Sequence, residues 1–190
     1  MQGNRHKTIL SLCDFTGAWS QPYADAGYTV RRVDIKRGED VRLLPFVGKV
    51  HGILAAPPCT HLASSGARWW AGKGEAALLE ALAVADACLR YVTLCRPVWW
   101  ALENPIGRLA RFYGPPAFAF DPADFGDPYT KRTCLWGVFT PPLPVFVGES
   151  RAVAATEGSK MHRLPPSAER AALRSVTPPG FARAFFEVNP

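Results

Sequence analysis

Four short apolar runs, each stopped by a polar or reactive residue at a turn, constrain this chain more than any other feature. Residues 8–13 (TILSLC) end at Asp14-Phe15-Thr16-Gly17, and residues 28–35 (YTVRRVDI) close on the acid Asp34. Residues 50–55 (VHGILA) run into Pro57-Pro58-Cys59, and residues 98–102 (VWWAL) stop at Glu103-Asn104-Pro105. Runs of this length, bounded by Gly, Pro or acids, predict buried strands. Between the third and fourth, residues 75–94 place Leu78, Leu79, Leu82, Val84, Ala85, Cys88, Leu89 and Val92 at helical spacing, which predicts a long helix. A shorter helix is expected over 21–26. Strands alternating with helices predict an α/β fold, a doubly wound and mostly parallel sheet. Ligands of such sheets bind outside the carboxyl ends of the strands. Asp14, Asp34, Cys59 and Glu103 all fall there, so one site on one sheet edge is expected.

The remainder reads less sharply. Beyond Tyr113 the chain is rich in Pro, Gly and aromatics; residues 134–139 (CLWGVF) predict one more strand, and 148–159 predict an exposed loop. Residues 177–188, opened by Pro178-Pro179, predict a closing helix. With 190 residues, 48% of them hydrophobic, the chain has enough apolar surface for one sizeable core. No repeat or long linker divides it, so 1–190 is expected to form a single domain, with a small substrate-facing insertion about 113–161. Lys and Arg outnumber Asp and Glu by 22 to 16, a balance of +6 that suits a polyanionic partner. Five widely spaced cysteines without a CxxC pair favour neither a disulfide framework nor a zinc site, and no metal is expected. The opening residues lack a signal-peptide pattern and no apolar stretch is long enough to span a bilayer, so a cytoplasmic location, in a bacterium or phage-infected cell, and no membrane partner are expected.

Three short motifs carry chemistry. A glycine turn between a strand and a helix, as in Asp14 to Ser20, lets backbone approach a ligand and offers free N–H groups. Asp34 has two acceptor oxygens suited to a ribose hydroxyl pair. Each feature alone is compatible with an ordinary βα turn or a solvated strand end; together they describe a site for a nucleoside-containing cofactor. Pro57-Pro58 stiffen the backbone before Cys59 and so fix one thiol in space, whereas Cys13, Cys88 and Cys95 lie in strand or helix patterns that packing explains. A thiol near donors and cations is a candidate nucleophile. Glu103, beside Trp99 and Trp100, could have a raised pKa and donate a proton or hydrogen bond; a carboxylate that merely caps the next segment is the plainer alternative.

The order DFTG, strand-end acid, PPC, ENP resembles the DNA cytosine carbon-5 methyltransferase family. The resemblance implies a Rossmann-like S-adenosylmethionine-dependent methyltransferase fold, with S-adenosylhomocysteine as product. It implies cofactor contacts at Asp14, Phe15, Gly17, Trp19, Ser20, Asp34, Ile35, Asp40, Val41 and Pro57. It places catalysis at Cys59, Glu103 and Arg132, and substrate contacts at Pro58, Ser65, Arg68, Asn104 and Lys131. Lys131-Arg132 in TKRTCLWG is similar to the family's basic motif, HRLPPSAERAAL to its Arg-Leu-Thr-Pro-x-Glu segment, and TPPGFARAF to its closing helix. Four departures stand out: Pro105 replaces the usual valine, Thr60-His61-Leu62 replace Gln-Gly-Phe, the basic motif is shortened, and 141–161 is too small for the usual target-recognition domain. Compact members of this kind resemble those of phage genomes.

The resemblance implies that the Cys59 thiolate adds to cytosine carbon 6 while Glu103 engages ring nitrogen 3, and that carbon 5 then takes the methyl group. DNA would present the base flipped out or already single-stranded. Lys131, Arg132, Arg68, Lys73 and Arg111 are candidate phosphate contacts. Two rival readings remain: modification of a free pyrimidine nucleotide, and a non-catalytic DNA-binding protein on a methyltransferase shell. Salt-sensitive oligonucleotide binding separates the first from the DNA enzyme, and a missing nucleophile or acid would mark the second.

Overall fold

The computed structural model describes residues 3–145, 155–165, 167 and 169–190. One six-stranded sheet organises them, in the order β2-β1-β3-β4-β6-β5. The strands are β1 (Thr8–Leu12), β2 (Thr29–Val33), β3 (Gly52–Ala55), β4 (Trp99–Pro105), β5 (Phe118–Phe120) and β6 (Thr133–Val138). The first four are mutually parallel. β6 runs antiparallel to β4, with Glu103 opposite Leu135 and Asn104 opposite Cys134, and β5 pairs antiparallel with β6. The sheet is therefore mostly parallel, as expected, and ends in a reversed hairpin.

Side chains alternate across the sheet because successive strand residues point to opposite faces. Leu10, Leu12, Ile53, Ala55, Leu102, Cys134 and Trp136 face one core, which α2 (Trp70–Cys95) covers with Ala81, Ala85, Cys88 and Tyr91. Ile9, Leu54, Trp99, Ala101 and Leu135 face the other. There α1 (Gln21–Asp25) and α6 (Pro179–Val188) supply Tyr23, Phe181, Ala182 and Phe185. Helices on both faces make the sheet doubly wound. Gly52 stands opposite Trp99, whose ring lies 2.2 Å from where a Cβ would be, so only glycine lets that indole lie across β3.

The long helix begins five residues earlier than its periodicity suggests. Its first turn is set apart by Gly74, whose φ of 74° is non-helical. α3 (Ala110–Tyr113), α4 (Lys160–Arg163) and α5 (Arg170–Ser175) are short. Part of 113–161, expected as an insertion, is sheet: β5 and β6 lie within it. Of the expected loop at 148–159, residues 148–154 lie outside the described residues. Among the described residues no helix is long and apolar enough to cross a membrane.

Candidate active site

The turn after β1 is held by Asp14. Its carboxylate accepts hydrogen bonds from Ser11 Oγ at 2.7 Å, Gly17 N at 2.8 Å and Ser20 Oγ at 2.7 Å, and the residue is buried. Gly17 sits at φ +73°, and a Cβ there would lie 2.5 Å from the Arg32 guanidinium carbon. The conformation therefore favours glycine, and an added Cβ would also push the arginine aside. Arg32 reaches over from β2, donating from Nε to Ser20 Oγ at 2.9 Å and from Nη2 to Gln21 Oε1 at 3.0 Å. Asp14, Gly17 and Ser20 thus build the turn.

Two expected cofactor contacts are instead core residues. Trp19 is 1% exposed and packs against Phe181 and Phe185, because the turn aims it at the α6 face of the sheet. Val41, 4% exposed, packs into the α2 face. Asp40 is tied to Arg42 by Nη2 at 2.6 Å, and hydrogen bonding to that arginine holds its carboxyl below the usual range. The side chains left facing outward are Phe15, 44% exposed, and Ile35, 68% exposed, with Asp34 between the two turns. Asp34 Oδ1 accepts from Lys36 N at 2.8 Å, while Oδ2 has no hydrogen-bond partner among the described residues. Lys36 Nζ stands 5.1 Å from the centroid of the Phe15 ring, so the two turns abut. Two exposed apolar side chains beside a carboxylate oxygen with capacity to spare suit an aromatic base joined to a ribose.

At the next strand ends, Asn104 is a latch. Fully buried, it donates from Nδ2 to Pro57 O at 2.9 Å and thereby joins the end of β4 to the proline turn after β3. Cys59 follows at the start of a loop in which its carbonyl accepts from Leu62 N and Ala63 N, at 3.0 and 2.9 Å. The thiol opens on a cavity shared with Ser64, Ser65, Pro105 and Ile106. Ala63, Lys131, Arg132, Met161, His162 and Arg174 complete its lining. Asp121 organises the basic pair, accepting from Lys131 N at 3.0 Å and facing Arg132 Nη1 at 3.6 Å. Lys131 Nζ donates to Arg174 O at 2.9 Å, and Arg174 Nη2 donates to Ser65 Oγ at 3.2 Å.

Burial pushes the Cys59 thiol above its ordinary value; Glu103 pushes it further, and Lys131 and Arg174 pull it back. Burial likewise raises the Glu103 carboxyl, against the pull of Lys131. Glu103 Oε1 is buried and has no hydrogen-bond partner among the described residues, an unmet capacity that a ring nitrogen could fill. Cys59, Ser65, Lys131 and Arg132 are therefore brought together, with Glu103 in the same field. Pro58 is exposed beside the cavity, and Arg68 stacks on Trp69 outside it. Arg174, Met161 and His162 were not among the expected site residues. They come from short helices with no spacing relation to Cys59, and the only signal near them was the family-like segment HRLPPSAERAAL, which starts at His162 and stops just before Arg174. Among the described residues no three His, Cys, Asp or Glu side chains form a metal-ligand cluster.

Neither a family model nor a curated protein matches this chain. A solved structure similar to it is that of a protein provisionally described as a DNA modification methyltransferase encoded within a prophage (E. coli), with a TM-score of 0.55 and 17% identity. The match covers 74% of this chain and 51% of that one, so the chain spans about half the length of that protein. A likeness at this identity establishes the fold: a Rossmann-like sheet of the kind found in a methyltransferase.

Proposed function

We propose that the chain is an S-adenosylmethionine-dependent DNA (cytosine-5-)-methyltransferase with Cys59 as its covalent nucleophile. The observation that carries this reading is one cavity in which Cys59 meets two cations, Lys131 and Arg174, within the field of Glu103, whose buried Oε1 has no hydrogen-bond partner among the described residues. The cavity lies on the same sheet edge as the turns bearing Phe15 and Asp34. Those turns suit the adenosine part of S-adenosylmethionine, which when bound supplies an electrophilic methyl group.

Cys59 reacts as its thiolate, adding to cytosine carbon 6 and pushing electron density toward carbon 5. Glu103, whose carboxyl burial shifts toward its protonated form, donates to ring nitrogen 3 and stabilises the charge that this addition develops. Lys131 and Arg174 stabilise the thiolate before addition and again when it leaves. Once carbon 5 has taken the methyl group, loss of its proton to solvent re-forms the 5,6 double bond and expels the sulfur as thiolate, which regenerates Cys59. Arg132, half exposed at the cavity mouth, is placed to meet a phosphate of the substrate strand.

Incubation of the chain with cytosine-containing DNA and S-adenosylmethionine, followed by mass spectrometry of the nucleosides, tests the reading. 5-Methylcytosine is expected from the native chain and none from Cys59→Ala. A folded chain that binds S-adenosylhomocysteine yet yields no methylated cytosine in DNA overturns it, and methylation of free nucleotide alone would transfer it to the nucleotide.

A further inference from the structure

Beside the cavity, the loop after Cys59 and the segment after β4 are stitched into one surface. Ser64 N donates to Ile106 O at 2.8 Å, Arg108 N donates to Leu62 O at 2.9 Å, and Ala63 bridges to Gly107. Residues 59–74 and 105–113 contain no Asp or Glu, yet they carry Arg68, Lys73, Arg108 and Arg111. Large aromatics stand among these cations. Trp69 is 50% exposed, and Phe112 is exposed as well. The guanidinium of Arg68 lies 3.9 Å from the Trp69 ring centroid, and that of Arg108 lies 4.4 Å from Trp70.

Such a surface matches one kind of partner well. A single polynucleotide strand offers phosphates to the cations and unpaired base faces to the indole, and each base stacked on an aromatic side chain adds to affinity without reading sequence. A duplex keeps its bases stacked on one another, leaving Trp69 without a partner. Ser64, Ser65 and Ile106 belong both to the cavity lining and to these two segments, so a strand on the surface continues into the Cys59 site.

We propose that this surface is a platform for single-stranded DNA, on which a base next to the target stacks on Trp69 while Arg68, Lys73, Arg108 and Arg111 hold the neighbouring phosphates. The choice of DNA, and of a target base at Cys59, rests on the methyltransferase reading above. The grip the platform gives is local, cationic and indifferent to sequence.

Fluorescence-anisotropy titration of the full chain with a labelled oligothymidylate tests the platform without using cytosine chemistry. Trp69→Ala is expected to weaken binding by roughly tenfold at fixed salt, with Trp69→Phe retaining most of the affinity. The double variant Arg68→Gln, Lys73→Gln should flatten the dependence of affinity on salt. Unlabelled duplex of equal length should compete poorly. Trp69→Ala binding as tightly as the native chain, or duplex competing as well as single strand, overturns the platform even where 5-methylcytosine still forms. Trp69-dependent binding in a chain that makes no 5-methylcytosine upholds the platform and removes the methyltransferase reading alone.

Discussion

Burial raises both Cys59 and Glu103, and Glu103 makes ionisation of Cys59 harder still, which gives both residues testable signatures. Glu103→Gln removes the charge that opposes the thiolate, so alkylation of Cys59 by iodoacetamide at neutral pH should speed up by roughly two- to tenfold. Lys131→Ala and Arg174→Ala remove charges that favour it, and should slow alkylation by a similar factor. Peptide mass spectrometry of the Cys59 adduct against pH measures this; three unshifted profiles would mean that the field does not reach the thiol. Methylation should fall in all three variants, so reactivity and turnover part company in Glu103→Gln. Stability gives Glu103 a second signature. A carboxyl raised by burial lends the fold stability fully present below its ordinary value and lost as pH climbs through the raised one. Glu103→Gln should therefore raise the melting temperature at neutral pH and leave it nearly unchanged near pH 4. A gain that is equal at both pH values would argue against a buried, reluctant carboxylate. Cys59→Ala completes the residue-scale set: intact-mass analysis with 5-fluorocytosine DNA and S-adenosylmethionine should trap an adduct on the native chain and none on the variant, since fluorine cannot leave as the proton does.

At the scale of elements, what the sequence revealed depended on whether neighbours in the chain are also neighbours in space. β1, β3 and the long helix were legible because their apolar periodicity is local, and the proline turn fixed Cys59 at a strand end without any knowledge of the sheet. The turn after β1 was legible as a glycine turn, but its internal wiring was not. Nothing in DFTGAWS says that Asp14 would turn inward to hold Ser11, Gly17 and Ser20, or that Trp19 would point into the core; that depends on Arg32 and α6, which come from elsewhere. β5 has only three residues in a Pro- and aromatic-rich stretch, and α4 and α5 are too short for a periodic signal, so Arg174 could not be placed from sequence, whereas Arg68, Lys73 and Arg111 of the platform were legible as candidate phosphate contacts. The wiring of the turn leads to a prediction. Gly17→Ala must adopt a left-handed conformation and displace the Arg32 guanidinium, which should cost about 1–3 kcal/mol of stability. It should also abolish calorimetric binding of S-adenosylhomocysteine at temperatures where the fold persists. Arg32→Ala in the same background relieves the collision but not the conformation, so only part of the loss should return. Undiminished binding in Gly17→Ala would separate this turn from the cofactor.

For the whole molecule, the sheet divides the protein into two cores, and the far end of the chain supports the near end through the second. Phe181 of α6 stacks on Phe120 at 3.9 Å between centroids and packs near Phe125 and Trp19, at 5.4 and 5.9 Å. Trp19 lies two residues after Gly17, so α6 backs the turn proposed to carry the cofactor. Asn189 fixes the end of α6 in turn, accepting from Tyr23 Oη through its carbonyl at 2.9 Å and from Thr140 N through Oδ1 at 2.7 Å. Contacts between positions 49 to 166 residues apart leave no trace in spacing, which is why Phe181 and Phe185 read only as part of a closing helix. They make the tail a structural member with two distinct duties: α5 presents Arg174 to the Cys59 cavity, and α6 holds the first turn. Substitution should separate them. Phe181→Ala opens a cavity in the second core and should cost about 3–5 kcal/mol, a large part of the ~5–15 kcal/mol that usually holds a domain together. S-adenosylhomocysteine binding should weaken along with the denaturation midpoint, because the support of Trp19 is lost. Arg174→Ala, on a surface helix, should leave both midpoint and cofactor affinity nearly unchanged while slowing alkylation of Cys59. Chemical denaturation and calorimetry of the two variants, measured side by side, check this division. If Phe181→Ala lowers the midpoint but leaves cofactor affinity intact, α6 stabilises the fold without shaping the turn, and the coupling from Phe181 through Trp19 to Gly17 is absent.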